Sequence, residues 1–305
     1  MGRTVVSSGG GGGSGTSLAP TTGNWATGTF GTGQLMTFGG AGTYTFVIPS
    51  GTTSIRVRCF GGGGGGGTST SYVAGAGGGF ALGTYSVTAG SSHTVTVGAG
   101  GANNTAGGTS SFGSLISATG GAGGASNTSE KTGGLGVGGI VNYLGGGTQG
   151  NNSGGGGVAC IFGPGNPGTY ASANSVPDAY SNLGARGGAG GGLGANGNTY
   201  PTQIRGTNFG TFGMEFSGDI GNSSSIYNYY QFVKQTQPVT CVDLLGTGPG
   251  GVADQSHGDG INGGGGQGGG SRPGRGGWPG GGGGSGSSTN SVYGVGADGC
   301  VVVEY

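Results

Sequence analysis

The sequence predicts an all-β protein with essentially no α-helix: a small antiparallel β base joined to extended glycine-rich segments packed as a core, with variable loops between them. Three observations predict it. Short runs alternate apolar and polar residues, no stretch carries sustained helical periodicity with caps, and blocks of consecutive glycine separate the runs. The stretch "RCFGGGGGGGTSTSY" (58–72) shows the junction, where an alternating segment ends directly in seven glycines.

Taken in order, residues 1–35 read as a Gly/Ser/Thr-rich leader or docking arm with Trp25, Phe30 and Leu35 as isolated anchors. Alternation begins at Thr43, with Tyr44, Phe46 and Ile48 on one side. Pro49-Ser50-Gly51 supplies a turn, and Ile55, Val57 and Cys59 alternate with Arg56 and Arg58, which predicts a hairpin. A second pair spans Phe80–Thr88 and His93–Val97, with Gly83 breaking the alternation as a bulge would. Phe112–Ala118 is a fifth strand and Cys300–Tyr305 a sixth. The base therefore covers 36–124 plus the terminal strand at 296–305. Residues 125–295 form the glycine-block region, with an aromatic-rich insert at about 195–245.

Composition narrows the glycine question. The chain has 305 residues, 92 of them Gly and 10 Pro, so the strict triplet period and high proline content of collagen are missing. Disordered chains are usually rich in charge, whereas only 6% of this chain is charged, so order is the favoured reading. A glycine block can be ordered as a threefold extended helix of the polyglycine-II kind, rising about 3.1 Å per residue. Such a helix has no internal hydrogen bonds, so a buried copy must pair with neighbouring copies. Ordering costs ~1–2 kcal/mol per residue, and a hydrogen bond returns only ~0.5–1.5 kcal/mol. Nearly every backbone group must therefore be paired.

Zero formal net charge gives no electrostatic case for nucleic acid or an anionic membrane as the main partner. No apolar run reaches the ~18 residues of a membrane-spanning helix. The start, Met1 to Ser8, lacks the apolar stretch of a signal peptide, so export by lysis or by an unseen route is expected. Cys59, Cys160, Cys241 and Cys300 form no CxxC pair, which argues against zinc and for small buried thiols. No catalytic constellation, cofactor motif or metal site is expected. His93 and His257 have no nucleophile motif nearby, the Asp254, His257 and Asp259 group lacks ordered ligand spacing, and no GxGxxG string continues into a phosphate loop.

Four stretches carry a family likeness: "FGGAGTYTFVIPSGTTSIRVRCFGGGGGGG" (38–67), "GGGFALGTYSVTAGSSHTVTVGAGG" (77–101), "GGTSSFGSLISATGGAGG" (107–124) and "GADGCVVVEY" (296–305). Together they resemble the glycine-rich domain of tailed-bacteriophage tail-fibre and receptor-binding (adhesin) proteins. The resemblance implies a β base to which the last strand returns, and a virion attachment protein released by host lysis. Its implied partners are a host surface receptor, either a glycan or an outer-membrane protein, and other fibre or tail proteins. A homo-oligomer is implied, with a trimer favoured.

Candidate receptor-binding residues are aromatic or basic positions in the variable segments. Tyr227, Tyr229 and Tyr230 in "NSSSIYNYYQF", with Tyr200, have the composition of adaptable recognition loops. Tyr143, Tyr170 and Tyr180 sit beside glycine blocks, and Arg272, Arg275 and Trp278 in "SRPGRGGWPGG" make a local basic and aromatic cluster. The Phe residues of the insert suit a small core of their own. A purely architectural fibre or capsid-surface subunit is the alternative function, and ice binding by a flat Thr/Ala face a minor one.

Overall fold

A computed structural model describes residues 21–23, 30–31, 33–68, 73–124, 130–148, 150, 153–168, 245–246, 259–260, 263–266, 268, 273–286 and 293–305. These residues contain eleven strands and no helix: β1 (Thr21–Gly23), β2 (Leu35–Phe38), β3 (Gly42–Val47), β4 (Ser54–Phe60), β5 (Phe80–Ser86), β6 (Ser92–Val97), β7 (Ser110–Phe112), β8 (Ile116–Ala118), β9 (Gly136–Val137), β10 (Val141–Tyr143) and β11 (Cys300–Glu304). They form two antiparallel sheets, ordered β1-β2-β11-β4-β5-β10 and β3-β6-β7-β8-β9.

Strand alternation places the core. Ile55, Val57 and Cys59 of β4 and Val301 and Val303 of β11 face Phe46, Val95, Phe112 and Ile116 of the other sheet, giving one continuous buried cluster between the sheets. Phe60, Phe80, Leu82, Cys300 and Val302 point the other way, where Val158, Ala159 and Cys160 cover them. The six-stranded sheet is thus buried on both faces at its centre, which is why Val57–Phe60 are all buried despite their alternation.

The two expected hairpins do not form. β3 pairs with β6, and β4 pairs with β5 and β11, so the Pro49–Thr53 link carries the chain from one sheet to the other. The β5–β6 link crosses back beside it, tied by bonds from Ile48 N–H to the Ser91 carbonyl and from Val87 N–H to the Thr53 carbonyl, each 2.9 Å. Alternation reveals a strand's buried side but not its partner, and two adjacent crossovers satisfy the same pattern as two hairpins. Gly83 makes no bulge either, since the β4–β5 register runs unbroken from Ser54↔Ser86 to Phe60↔Phe80. Glycine is needed there because the Tyr85 ring lies over it on the same face. The Tyr85 hydroxyl donates to the Gly138 carbonyl at 2.9 Å. The fifth strand is a hairpin of β7 and β8, turned at Gly113 with φ +53°.

β11 lies between β2 and β4, so the last residues of the chain complete the middle of the sheet. Glu304 at its end is held by two arginines of β4. Arg56 Nε donates to Oε1 at 3.1 Å and its Nη2 to Oε2, while Arg58 Nη2 lies 3.2 Å from Oε1. The Arg58 and Glu304 side chains are 2% and 3% exposed. The Phe30 ring covers the Arg56 guanidinium, 5.1 Å from centroid to carbon.

Beyond β4 the backbone bonding changes period. The N–H groups of Gly61, Gly64 and Gly67 donate to the carbonyls of Gly79, Ala76 and Val73, those of Gly62 and Gly65 to Gly108 and Thr105, and those of Gly63 and Gly66 to Ala297 and Gly294, at 2.8–3.0 Å. Their carbonyls accept with the same spacing. Gly62 and Gly65 accept from Gly121 and Gly124, Gly63 and Gly66 from Gly101 and Asn104, and Gly64 and Gly67 from Gly283 and Gly286. Segment 61–67 thus bonds to six neighbours, every third residue addressing the same one. The three that accept from it run opposite to it, and the three that donate run alongside.

Segments 61–67, 73–79 and 280–286 form a closed ring of donors: the first donates to the second, the second to the third through Gly75 and Gly78, and the third back to the first. Side chains have no room in the middle of segment 61–67. A Cβ on Gly64, Gly65 or Gly66 would overlap the carbonyl oxygen of Ala122, Ala102 or Gly284, once more with a period of three.

Two stability outcomes follow. Gly64→Ala is expected to cost about 3 kcal/mol or more, because backbone on neighbouring segments must move. At Gly90, with φ +80° and open space around its Cβ position, alanine costs only the ~1–2 kcal/mol of the left-handed conformation. Urea unfolding of the two variants checks the order. Glu304→Ala, which removes the shared carboxylate from two guanidinium groups, is expected to cost about 3–5 kcal/mol in the same assay.

Candidate functional site

The glycine segments alternate in direction, and this sorts their connections onto two ends. Segment 61–67 leaves the base from β4 and 73–79 returns to it at β5. The same out-and-back course is followed by 98–102 with 105–109, 119–124 with 130–135, 145–148 with 153–160, and 281–286 with 294–299, as their cross-bonds require. The described ends at Thr68 and Val73, Gly124 and Glu130, Thr148 and Ser153, and Gly286 and Tyr293, together with the turn at 103–104, therefore lie on the side away from the sheets. Gly168, after which the aromatic-rich part of the chain begins, is on that side too, with its N–H on the Gly147 carbonyl at 3.0 Å.

One of these far-end turns is described in full. Ala102–Thr105 closes on itself through Thr105, whose N–H and Oγ1 both donate to the Ala102 carbonyl at 3.1 and 3.0 Å. Asn104 takes φ 57°, a conformation its short amide side chain tolerates better than most residues do. Asn103 Nδ2 donates to Thr68 Oγ1 at 3.0 Å, linking this turn to the adjacent segment end. Below the rim, Ser285 Oγ donates to the Ser153 carbonyl at 2.9 Å, and Ser153 Oγ accepts from Ala74 N–H at 3.3 Å. Two serines are thus accommodated where they bond to backbone. The signal for the rim is the polar "GANNTAGG" (101–108) between glycine blocks, which carries none of the aromatic residues on which the sequence-predicted sites rest.

Of the sequence-predicted site residues, Tyr170, Tyr180, Tyr200, Tyr227, Tyr229, Tyr230 and Arg272 lie outside the described residues. Tyr143 is on β10, the edge of the six-stranded sheet, packed against Val158, Phe80 and their neighbours. Trp278 stands at the base end. It is 39% exposed, and its Nε1 is within bonding distance of the carbonyls of Gly39 at 3.1 Å and Gly299 at 3.2 Å. Arg275 is exposed on a glycine segment, with its N–H on Asp259 Oδ1 at 2.7 Å. The sequence "SRPGRGGWPGG" is therefore not one surface turn, because Gly274 and Gly277 are tied into the lattice by bonds with Gly284 and Gly264.

Among the described residues no group of three His, Cys, Asp or Glu side chains converges as a metal site, and no helix is long and apolar enough to cross a membrane. Cys59, Cys160 and Cys300 are buried thiols. Burial pushes Cys160 up to about 12 from an ordinary 9.0, against a smaller opposing effect of backbone bonds from Phe162 and Gly163. Cys59 and Cys300 are raised further, with burial again the main cause. None is poised as a nucleophile.

A family model described as a glycine-rich domain matches residues 37–305. No curated protein matches the chain.

The thiols make a direct test. Cys241 lies outside the described residues, so native protein at pH 8 should release no more than one equivalent in an aromatic-disulfide assay, and unfolded protein all four. Because the folded state holds its thiol protons more tightly, their contribution to stability is fully present below pH 9.0 and declines as pH rises toward about 12. Urea midpoints at pH 8, 10 and 11 should fall in that order.

Proposed function

We propose that this chain, which belongs to the glycine-rich domain family, is a non-enzymatic structural protein of a phage tail fibre that attaches to a host surface receptor, a reading that rests on the sequence resemblance. In this reading the glycine segments form a polyglycine-II-like lattice standing on the β base, and the connections at its far end meet the receptor. The observation that carries it is the threefold bonding of segment 61–67 to six neighbours. Such packing fixes backbone positions without side chains, so sequence at the far end is free to vary without disturbing the support.

Recognition falls to the far-end connections and to the aromatic-rich part of the chain, where Tyr227, Tyr229 and Tyr230 offer flat amphipathic area for sugars or for loops of an outer-membrane protein. Assembly into a homotrimer within the virion is part of the same proposal. It rests on the sequence resemblance. A purely architectural subunit would use the aromatic segment for contacts with other copies instead.

Two measurements separate these readings. In hydrogen exchange followed by mass spectrometry, peptides covering 61–67 and 133–139 should be strongly protected, and exchange at free-peptide rates would remove the lattice. Deleting Asn198–Pro238 should abolish adsorption to host cells and leave particle assembly intact. Loss of assembly would favour the architectural role.

A further inference from the structure

The five-stranded sheet has one free edge. Its β9 side is bridged to the β10 side of the other sheet at Leu135–Leu144, whereas β3 pairs, among the described residues, with β6 alone. The bonding pattern fixes which backbone groups β3 leaves unused. Ile48 N–H donates to the Ser91 carbonyl at 2.9 Å, and from the other side of β6 Gly113 N–H donates to the Thr94 carbonyl at 2.7 Å. In an antiparallel ladder the facing groups alternate along each strand, so Gly42, Tyr44, Phe46 and Ile48 turn their backbone groups toward β6. Thr43, Thr45 and Val47 turn theirs away, and no described residue takes them up.

This edge is braced from behind and open in front. On the core side Phe46 packs edge-on against Phe38 and Phe112, with ring centroids 6.4 and 6.0 Å away, and the Tyr44 hydroxyl donates to the Gly40 carbonyl at 2.8 Å. On the outer face Thr43, Thr45 and Val47 are exposed, Val47 at 54%. Strand edges are ordinarily guarded by a bulge, a charge or a proline. Here the register runs unbroken from Gly42↔Val97 to Val47↔Ser92, no residue from 38 to 55 is charged, and the nearest proline, Pro49, lies just past the row of free groups.

We infer that β3 is the strand through which this chain pairs with a second copy of itself, antiparallel and about a two-fold axis at Thr45. The occupant follows from electrostatic complementarity. Each free N–H needs a carbonyl and each free carbonyl an N–H, and the same uncharged edge turned through half a circle presents them in that order. Thr45 then meets its own counterpart in a hydrogen-bonded pair, flanked on both sides by pairs of Thr43 with Val47. These β-branched pairs cover Val47 and bring no like charges together. The contact goes beyond the proposed fibre trimer: it joins one chain to one other and merges their two five-stranded sheets into one.

The test is thiol trapping in the full chain carrying Cys241→Ser, so that the remaining native thiols are the buried Cys59, Cys160 and Cys300. Facing residues of a hydrogen-bonded pair have Cα atoms about 5.5 Å apart, whereas Thr43 and its own counterpart would be about 14 Å apart. With a short bis-methanethiosulfonate crosslinker, Thr45→Cys is expected to give a covalent dimer in denaturing electrophoresis. Thr43→Cys alone should stay single, and an equal mixture of Thr43→Cys and Val47→Cys chains should crosslink. Ser114→Cys, exposed in the β7–β8 turn, controls for random collision. Thr45→Cys should exceed it by about tenfold or more, because paired thiols react at a raised effective concentration. Equal yields from Thr45→Cys and Ser114→Cys would overturn the inference. Crosslinking of Thr43→Cys alone would overturn it too, since it requires another register or direction. Either failure leaves the proposed trimer untouched, because the readout counts only pairs joined at β3.

Discussion

Every buried N–H and carbonyl must find a partner, and in a region made of glycine that partner is in most cases the backbone of another segment. All else in this structure depends on that constraint. Segment 61–67 satisfies it with donors and acceptors shared among six neighbours, and the ring formed with 73–79 and 280–286 means that no one of the three is complete without the others. Because segments approach until a Cβ would overlap a facing carbonyl oxygen, the composition is a steric consequence of the bonding pattern. The glycines are scaffold material for the same reason that Leu and Val are core material in the base.

The base and the glycine region are coupled through the chain's course. β4 runs into 61–67, 73–79 runs into β5, and β11 arrives in the middle of the sheet only after the whole glycine region has been traversed. The sheet's centre, including the Glu304 contacts with Arg56 and Arg58, therefore forms only when that excursion has closed. Val158, Ala159 and Cys160 add a second tie by covering the outer face of the sheet at Phe60 and Phe80. Contacts this distant in sequence make folding slow and strongly cooperative. They also give the far end a fixed position relative to the base.

Much of the base was legible. The alternation of Tyr44, Phe46 and Ile48, and of Ile55, Val57 and Cys59, marks the strands and their buried sides correctly, and the run Val301–Val303 marks the terminal strand. Pairing was not legible. Two crossovers and two hairpins leave the same imprint on local sequence, so alternation alone does not distinguish the β3–β6 and β4–β5 pairings from β3–β4 and β5–β6. The short strands β1, β2, β9 and β10 were missed because two to four residues are too few to show a period. Likewise, "SRPGRGGWPGG" gathers Arg275 and Trp278 in sequence, while the structure gives one to a glycine segment and the other to the base.

By itself the sequence determined the class: β structure with no helix among the described residues, buried thiols at Cys59, Cys160 and Cys300, a chain without net charge, and glycine blocks bonded to their own kind. Those follow from residue type, through side-chain period, burial of small apolar groups and the demand for backbone partners. Which segment bonds to which, on which end the connections gather, and where β11 inserts were decided by tertiary structure alone. The reason is that backbone groups are chemically identical from one glycine to the next. Only the three-dimensional course of the chain distinguishes Gly64 beside Ala76 from Gly65 beside Thr105.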